Sequence, residues 1–394
     1  MLVRRSPLPE YEASGFGHDV SARRLLATAA QGTLCGMTTG HDIARWRLHS
    51  QFLATPYAES SAAVVSGLLA VQAENPGQAA WAVGCRTPRP DPAELQRLLE
   101  AGEVIRTHLL RPTWHFVAAQ DIGWLLELTA PRIRPLVLRQ LGEAHGLAGR
   151  DLDRATSTLL DAVVQGPHQT RDGLGKRLSE SGRSRDGLPL LLLVLELDRL
   201  ICSGRPVGGT HTYAPFSDRV PPASSMDREE ALAELALRYF TGHGPATERD
   251  LAYWATLPLG DVRRGLHAVR ARLESFEHDG RTFWHAPAES PPEGELRPGG
   301  HLLQILDEVY RGYQDSRMVL DADGVVPTGR ESTLGMALVD AQMVARVRRT
   351  VGPRVVFELT PYKGTLSSSD LDALEQAALR YADFLGLEHD LLVR

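Results

Sequence analysis

The stretch Arg228–His285, REEALAELALRYFTGHGPATERDLAYWATLPLGDVRRGLHAVRARLESFEHDGRTFWH, carries the clearest signature of fold in this chain. Leu232, Leu235 and Tyr239 recur at helical spacing, so Arg228–Tyr239 reads as an amphipathic helix. Thr247-Glu248-Arg249-Asp250 is a capping-box pattern, with Asp where Glu or Gln is usual, and it opens a second helix to about Ala255. Pro258–Val269 supplies a third. His278-Asp279-Gly280-Arg281 then stands between Phe276 and Phe283, and Asp-Gly flanked by β-prone residues is a two-residue hairpin signal. Three helices closed by a hairpin make a winged helix-turn-helix.

Upstream, the same order recurs twice. Asp151–Pro215 reads as helices over 152–165, 170–180 and 188–200, then a wing from Ile201 to Ala214 turned at Gly208-Gly209. The first copy is stretched: helices near 42–53, 60–71 and 92–101, hairpin strands near 103–108 and 113–118, and onward helices near 119–129 and 132–146. Repetition of one small unit argues for a tandem array over a single large core. Downstream, Pro291, Pro292, Pro298, Gly299 and Gly300 read as a linker, followed by a helix at about 301–313. Met318–Leu320, Leu334–Val339, Met343–Arg348 and Val355–Leu359 are β-prone, and Ser369–Leu385 reads as a final helix closing before Gly386. The expected class is α+β, mainly helical, with three tandem winged helix-turn-helix modules. They span 41–150 (with connecting helices), 151–225 and 226–290, ahead of a β-rich region at 291–394. Residues 1–40 mix Pro, Gly, Ser and charge with weak periodicity and read as a loosely ordered extension.

At 394 residues the chain has room for two to four domains. Its net charge of −6 does not advertise nucleic-acid binding, but contact needs only one positive face. Lys176 and Lys363 are the only lysines, so the basic residues are almost all Arg, a bias that fits GC-rich codon use. Cys35, Cys85 and Cys202 lack CxxC spacing, which argues against a disulfide framework and a zinc site and fits a reducing cytoplasm. The first 20 residues lack a signal-peptide core, and the longest apolar stretch, Leu188–Leu200, is too short to span a bilayer. No Walker loop, GxGxxG, HExxH or GxSxG pattern is present, so neither metal nor cofactor is expected.

Two stretches carry the functional reading: Leu68–Arg86, LLAVQAENPGQAAWAVGCR, and Arg106–Pro131, RTHLLRPTWHFVAAQDIGWLLELTAP. The first ends a buried apolar run with two polar residues, Gln72 and Glu74, which read as closing a helix before an Asn75-Pro76-Gly77 turn. Both stretches resemble the AlkZ/YcaQ family of winged-helix DNA glycosylases, in which a Gln-x-Gln or Gln-x-Asp pair is the catalytic motif. Here the pair is Gln72-Ala73-Glu74. Glu74 keeps a carboxylate and adds a methylene, which bears on the substrate class more than on the reaction. Thr113-Trp114-His115 matches a further motif, and Asp307-Glu308 within LLQILDEVYRGYQD resembles the family's Asp-Glu-Tyr segment, with Val309 ahead of Tyr310. The resemblance begins at Met37, which raises that residue as an alternative start, and runs to the C-terminus.

The resemblance implies a small C-terminal β-barrel around which the winged helices are arranged. It also implies a monomeric, cofactor-free, monofunctional DNA glycosylase acting in the cytoplasm, at the nucleoid, on double-stranded DNA with bulky or crosslinked alkylpurines. Family members guard genomes against DNA-alkylating natural products, which makes self-resistance the expected role. The chemistry suits the residues. Alkylation at N7 or N3 already makes the purine cationic, so what remains is to stabilise an oxocarbenium-like sugar and place a water. Glu74 is the expected base and charge stabiliser, and Gln72 is expected to hold the same water through its amide oxygen and nitrogen.

His115 alternates with apolar Trp114 and Phe116 and reads as a structural histidine bonded to backbone; His115 and Asp307 are the candidates for supporting the pair from behind. Trp114 and Trp124 read as core. Expected DNA contacts are exposed basic residues on wings and recognition helices: Arg205 and His211 beside the middle wing, and Arg263, Arg264 and Arg281 in the third module, with Arg270 and Arg272 nearby. The alternative is a non-catalytic winged-helix DNA-binding protein such as a transcriptional regulator, which has no need of Gln72-x-Glu74. A lesion binder that lost turnover through Glu74 is a third reading.

Overall fold

Thr39 and Asp42 exchange side-chain and backbone hydrogen bonds in a capping box that starts the first helix, α1 (Gly40–Ser50). The computed structural model describes residues 38–166, 168–222, 226–287, 299–327 and 335–394. The expected extension over 1–40 (to residue 37) and the linker (to residue 298) lie outside the described residues. After α1 come α2 (Ser61–Leu68), β1 (Val71–Gln72), α3 (Pro76–Gly84), α4 (Pro92–Ala101) and a hairpin of β2 (Val104–Leu110) and β3 (Thr113–Ala118). Helix α5 (Ala119–His145) leads into α6 (Gly149–Gln165), β4 (Gln169–Thr170), α7 (Arg171–Glu180), α8 (Leu188–Leu197), β5 (Ile201–Ser203), β6 (Thr212–Pro215) and α9 (Phe216–Arg219). Then follow α10 (Arg228–Gly242), α11 (Glu248–Ala255), α12 (Leu259–Val269) and a hairpin of β7 (Glu274–His278) and β8 (Arg281–His285). The remainder is β9 (Gly300–Leu303), α13 (Glu308–Arg311), β10 (Gly335–Val339), β11 (Gln342–Val351), β12 (Val355–Pro361), α14 (Ser368–Leu385) and β13 (His389–Val393).

The segment that anchored the sequence reading takes the expected order. Thr247 and Asp250 form their capping box, and Asp279 and Gly280 both adopt positive φ, as a two-residue hairpin turn requires. Gly208 and Gly209 do the same at the end of the β5–β6 hairpin. Five expectations about individual elements fail. Helix 60–71 stops at Leu68 because Leu69 turns left-handed, and the chain continues as strand β1. The Asn75-Pro76-Gly77 turn is instead the start of α3, with Asn75 as N-cap and Pro76 in the first turn. The separate helices 119–129 and 132–146 are one helix; Pro131 and Pro135 sit on its exposed face, where the carbonyls they leave unbonded reach water. The helix at 301–313 is β9 followed by the single turn of α13, because pairing with β10 (Leu302 opposite Ala337) outweighs the helical spacing. Met318–Leu320 is likewise not a strand but lies within a 3-10 turn, Arg317–Asp321.

The C-terminal region departs from a barrel. Among the described residues it is an open five-stranded sheet in the order β13-β12-β11-β10-β9. Strands β12 and β13 are parallel, so a crossover is required; α14 provides it and packs Leu374, Ala378 and Tyr381 on one face. Strands β13 and β9 remain at opposite edges and do not close. This sheet shares a core with Leu48 of α1 and Trp81 of α3, whereas the helices from α5 to α12 share another. Close approach joins α10 to α2: a Cβ at Gly242 would stand 2.3 Å from the Gly67 carbonyl oxygen. No helix among the described residues is long and apolar enough to cross a membrane.

Candidate active site

The left-handed turn at Leu69 frees the chain to lie along the β2–β3 hairpin, where Val71 pairs with Phe116 and Gln72 with His115. Ala73 N–H extends the ladder to the Trp114 carbonyl at 2.7 Å, and Asn75 then starts α3. Gln72-Ala73-Glu74 therefore forms a pinned edge between two helices. Gln72 is 5% exposed. Its N–H donates to Glu308 Oε1 (3.1 Å), and its side-chain oxygen accepts from Arg111 Nη2 (3.4 Å). Glu74 faces solvent; one carboxylate oxygen accepts the Trp114 N–H (3.1 Å), leaving the other uncommitted by that bond. Arg106 braces the same edge, donating to the carbonyls of Ala73 (2.9 Å) and Glu74 (3.3 Å) while lying 4.2 Å from the Trp114 ring centre.

Behind the pair is a buried polar floor that sequence reasoning mostly missed. Glu308 Oε2 accepts from Trp254 Nε1 (3.0 Å) and meets His243 Nε2 (3.4 Å). Burial pushes the Glu308 carboxyl up, but the His243 hydrogen bond and the Arg111 guanidinium outweigh it and hold the pKa at about 2. Glu308 holds the Gln72 backbone through its other oxygen, Oε1. Arg111 carried no sequence signal at all, sitting at positive φ in the β2–β3 turn and donating to the Trp254 carbonyl at 3.0 Å. Asp307 caps α13 and forms a buried bidentate pair with Arg86 at 2.7 and 3.1 Å. Among the described residues, no group of three His, Cys, Asp or Glu side chains is placed to hold a metal ion.

His115 is fully buried, with Nδ1 2.8 Å from the Thr113 carbonyl, so Nδ1 carries the proton and Nε2 keeps a lone pair with no partner among the described residues. Burial first, and Arg111 second, pull its pKa down to about 3. The native ring thus stays neutral where the unfolded ring protonates, below about 6.5, so stability falls as pH drops through that range. Glu308, depressed from 4.5, contributes no loss until pH falls below that value. Between pH 7 and 5.5 we expect His115 to remove about 1 kcal/mol, read by urea unfolding, and His115→Gln to reduce the slope by that share, leaving the part carried by the likewise depressed His211 and His301. A stability independent of pH over that window contradicts a neutral buried ring.

The expected DNA contacts divide. Arg205 is exposed. His211 instead turns inward, edge-on to Trp114 (centroids 4.9 Å apart) and Tyr213, and burial pulls its pKa to about 3, so it offers phosphate no charge at neutral pH. It was read as a wing residue for its place beside the glycine turn. Arg263 pairs with Glu248 (2.5 Å), Arg264 with Glu229 and Asp261 (both 3.2 Å), and Arg281 with Asp279 (2.7 Å), so these guanidiniums of α12 and the third hairpin already face carboxylates. Trp124 is core, but Trp114 is half-buried beside Glu74, tilted 40° against His108 with ring centres 3.8 Å apart. His108 in turn meets the buried Glu196 of α8 at 2.5 Å, fastening the second helical group to the first hairpin. A cleft of about 280 Å³ opens there, lined by Arg106, Phe116, Leu95, Leu99, Pro206 and His211 among others.

Known proteins share this fold. The fold matches the solved structure of Streptomyces sahachiroi DNA glycosylase AlkZ with a TM-score of 0.73 and 23% identity, covering 91% of this chain and 99% of that one. A Streptomyces sahachiroi protein named interstrand DNA cross-link repair glycosylase is 27% identical over 224 residues, 54% of this chain and 59% of that protein's length. The family model described as DNA glycosylase AlkZ-like matches residues 65–384, a span that holds Gln72, Glu74, Arg111, His115 and Glu308. On that match over most of its length, the chain belongs to the AlkZ-like DNA glycosylase family.

Proposed function

We propose that this protein is a monofunctional DNA glycosylase that hydrolyses the N-glycosidic bond of alkylated purines in double-stranded DNA. The observation that carries the reading is the Gln72–Glu74 edge: an exposed carboxylate next to an amide fixed at both backbone and side chain by buried groups. Alternation along an extended segment sends side chains two apart to one side. Water between them attacks C1′ and forms the new C–O bond; Glu74 takes its proton, and the glycosidic electron pair leaves with the purine, which departs neutral. The Glu74 charge also favours the oxocarbenium-like sugar. In this reading the cleft beside Arg106, lined by Pro76 and Gly77 but not by Gln72 or Glu74, takes the bulk of bulky adducts. The relative named for interstrand cross-link repair supports crosslinked ones.

The helix groups that each end in a hairpin serve, in this reading, as three winged helix-turn-helix modules that meet the duplex, with Arg205 on the phosphates. Asp307 and His115 support the pair without touching substrate, and the protein acts as a monomer without a cofactor. Glycosylases that also nick the strand attack the sugar with an amine. Lys176 is exposed on α7, and Lys363 follows β12 among Asp321, Asp323 and Asp370; no contact joins either to the Gln72–Glu74 edge among the described residues. Borohydride treatment during turnover is therefore expected to trap no covalent protein–DNA adduct, and the product is expected to be an intact abasic site. A trapped adduct overturns the water mechanism. Tight, salt-resistant binding to one undamaged operator, with no base release, favours a regulator instead.

A further inference from the structure

The geometry points to Arg111 as the residue that decides which end of the Gln72 carboxamide meets the substrate, a role that rests on the glycosylase reading above. A guanidinium only donates hydrogen bonds, so the atom it meets on Gln72, at 3.4 Å, must be the amide oxygen. The amide NH2 then points away from Arg111. Arg111 cannot easily swing aside, because its other nitrogen is tied to the Trp254 carbonyl. Nor can the Gln72 backbone shift, since its N–H is bound to Glu308. Gln72 is therefore a donor in this site and not the water's proton acceptor. The water accepts from the Gln72 NH2 through one lone pair, attacks C1′ through the other, and gives its proton to Glu74. Arg111 positions without touching the reacting atoms, and the ionised Glu308 nearby offsets its charge next to a cationic transition state.

The nearly isosteric Gln72→Glu substitution tests this. It supplies a better acceptor but removes both N–H donors, and Arg111 claims the new carboxylate. Single-turnover base release from N7-methylguanine duplex is expected to fall about tenfold or more, to no better than Gln72→Ala, with duplex affinity unchanged. Release by Gln72→Glu near the wild-type rate, or well above Gln72→Ala, overturns the donor assignment. A second readout needs no activity. Gln72→Glu is expected to leave Tm nearly unchanged while Arg111 is present and to lower it by about 5 °C in an Arg111→Met background, where the buried carboxylate loses its partner. Equal Tm losses in both backgrounds mean that Arg111 does not hold the side chain. A wild-type protein that releases no base sinks the proposed function, while the Tm comparison still decides the contact.

Discussion

Glu74→Ala is expected to slow base release by about 10²–10⁴-fold, the range for loss of a positioned general base, while duplex binding stays near wild type. The two readouts separate because the carboxylate acts on the attacking water and on charge that develops only in the transition state. Stability should hardly change: Glu74 is exposed, and the Trp114 N–H it releases lies at an open strand end within reach of water. Glu74→Gln recreates the Gln-x-Gln form of the family and is expected to keep measurable activity on some adducts. Single-turnover release beside a binding titration for each variant checks this. Wild-type rates in both make Glu74 a strand-edge clamp for Trp114 and nothing more.

Asp307→Ala is expected to destabilise the fold by about 3–5 kcal/mol, because it strands the Arg86 guanidinium in the interior. Arg86 and Asp307 are both buried, and Arg86 also donates to the Gln51 and Ala82 carbonyls, so no water is available to replace the lost carboxylate. Removing both charges together, as Arg86→Met with Asp307→Leu, is expected to cost less than Asp307→Ala alone. Guanidinium unfolding measures both, and base release below the melting range should survive. A stable Asp307→Ala protein with no base release would place Asp307 in the chemistry.

The parts of the fold legible in the sequence are those whose signals are local. Thr247-x-x-Asp250 and Asp279-Gly280 each dictate geometry within four residues, and the final helix carries a Ser367 cap and a left-handed Gly386 stop. Leu302–Leu303 could not be assigned that way, because only the strand at Ala337 decides between helix and sheet there. The same divide runs through the site. As polar residues after a buried run Gln72 and Glu74 are unremarkable, and they are legible only through the match of Gln72-x-Glu74 to the family motif. Their partners Arg111 and Glu308 are 39 and 236 residues distant in sequence from Gln72, and nothing local to either shows the contact. His211 misled for the opposite reason: beside a glycine turn it reads as exposed, and only the packing of the second hairpin on Trp114 turns it inward.

The most direct test of water-based glycosylase chemistry at the Gln72–Glu74 edge is a count of abasic sites formed in duplex DNA carrying N7- or N3-alkylpurines. The expected result is free alkylpurine and intact abasic sites in equal number, with strand breaks appearing only after alkali. Duplex bound by the protein but left with every alkylpurine in place would contradict it.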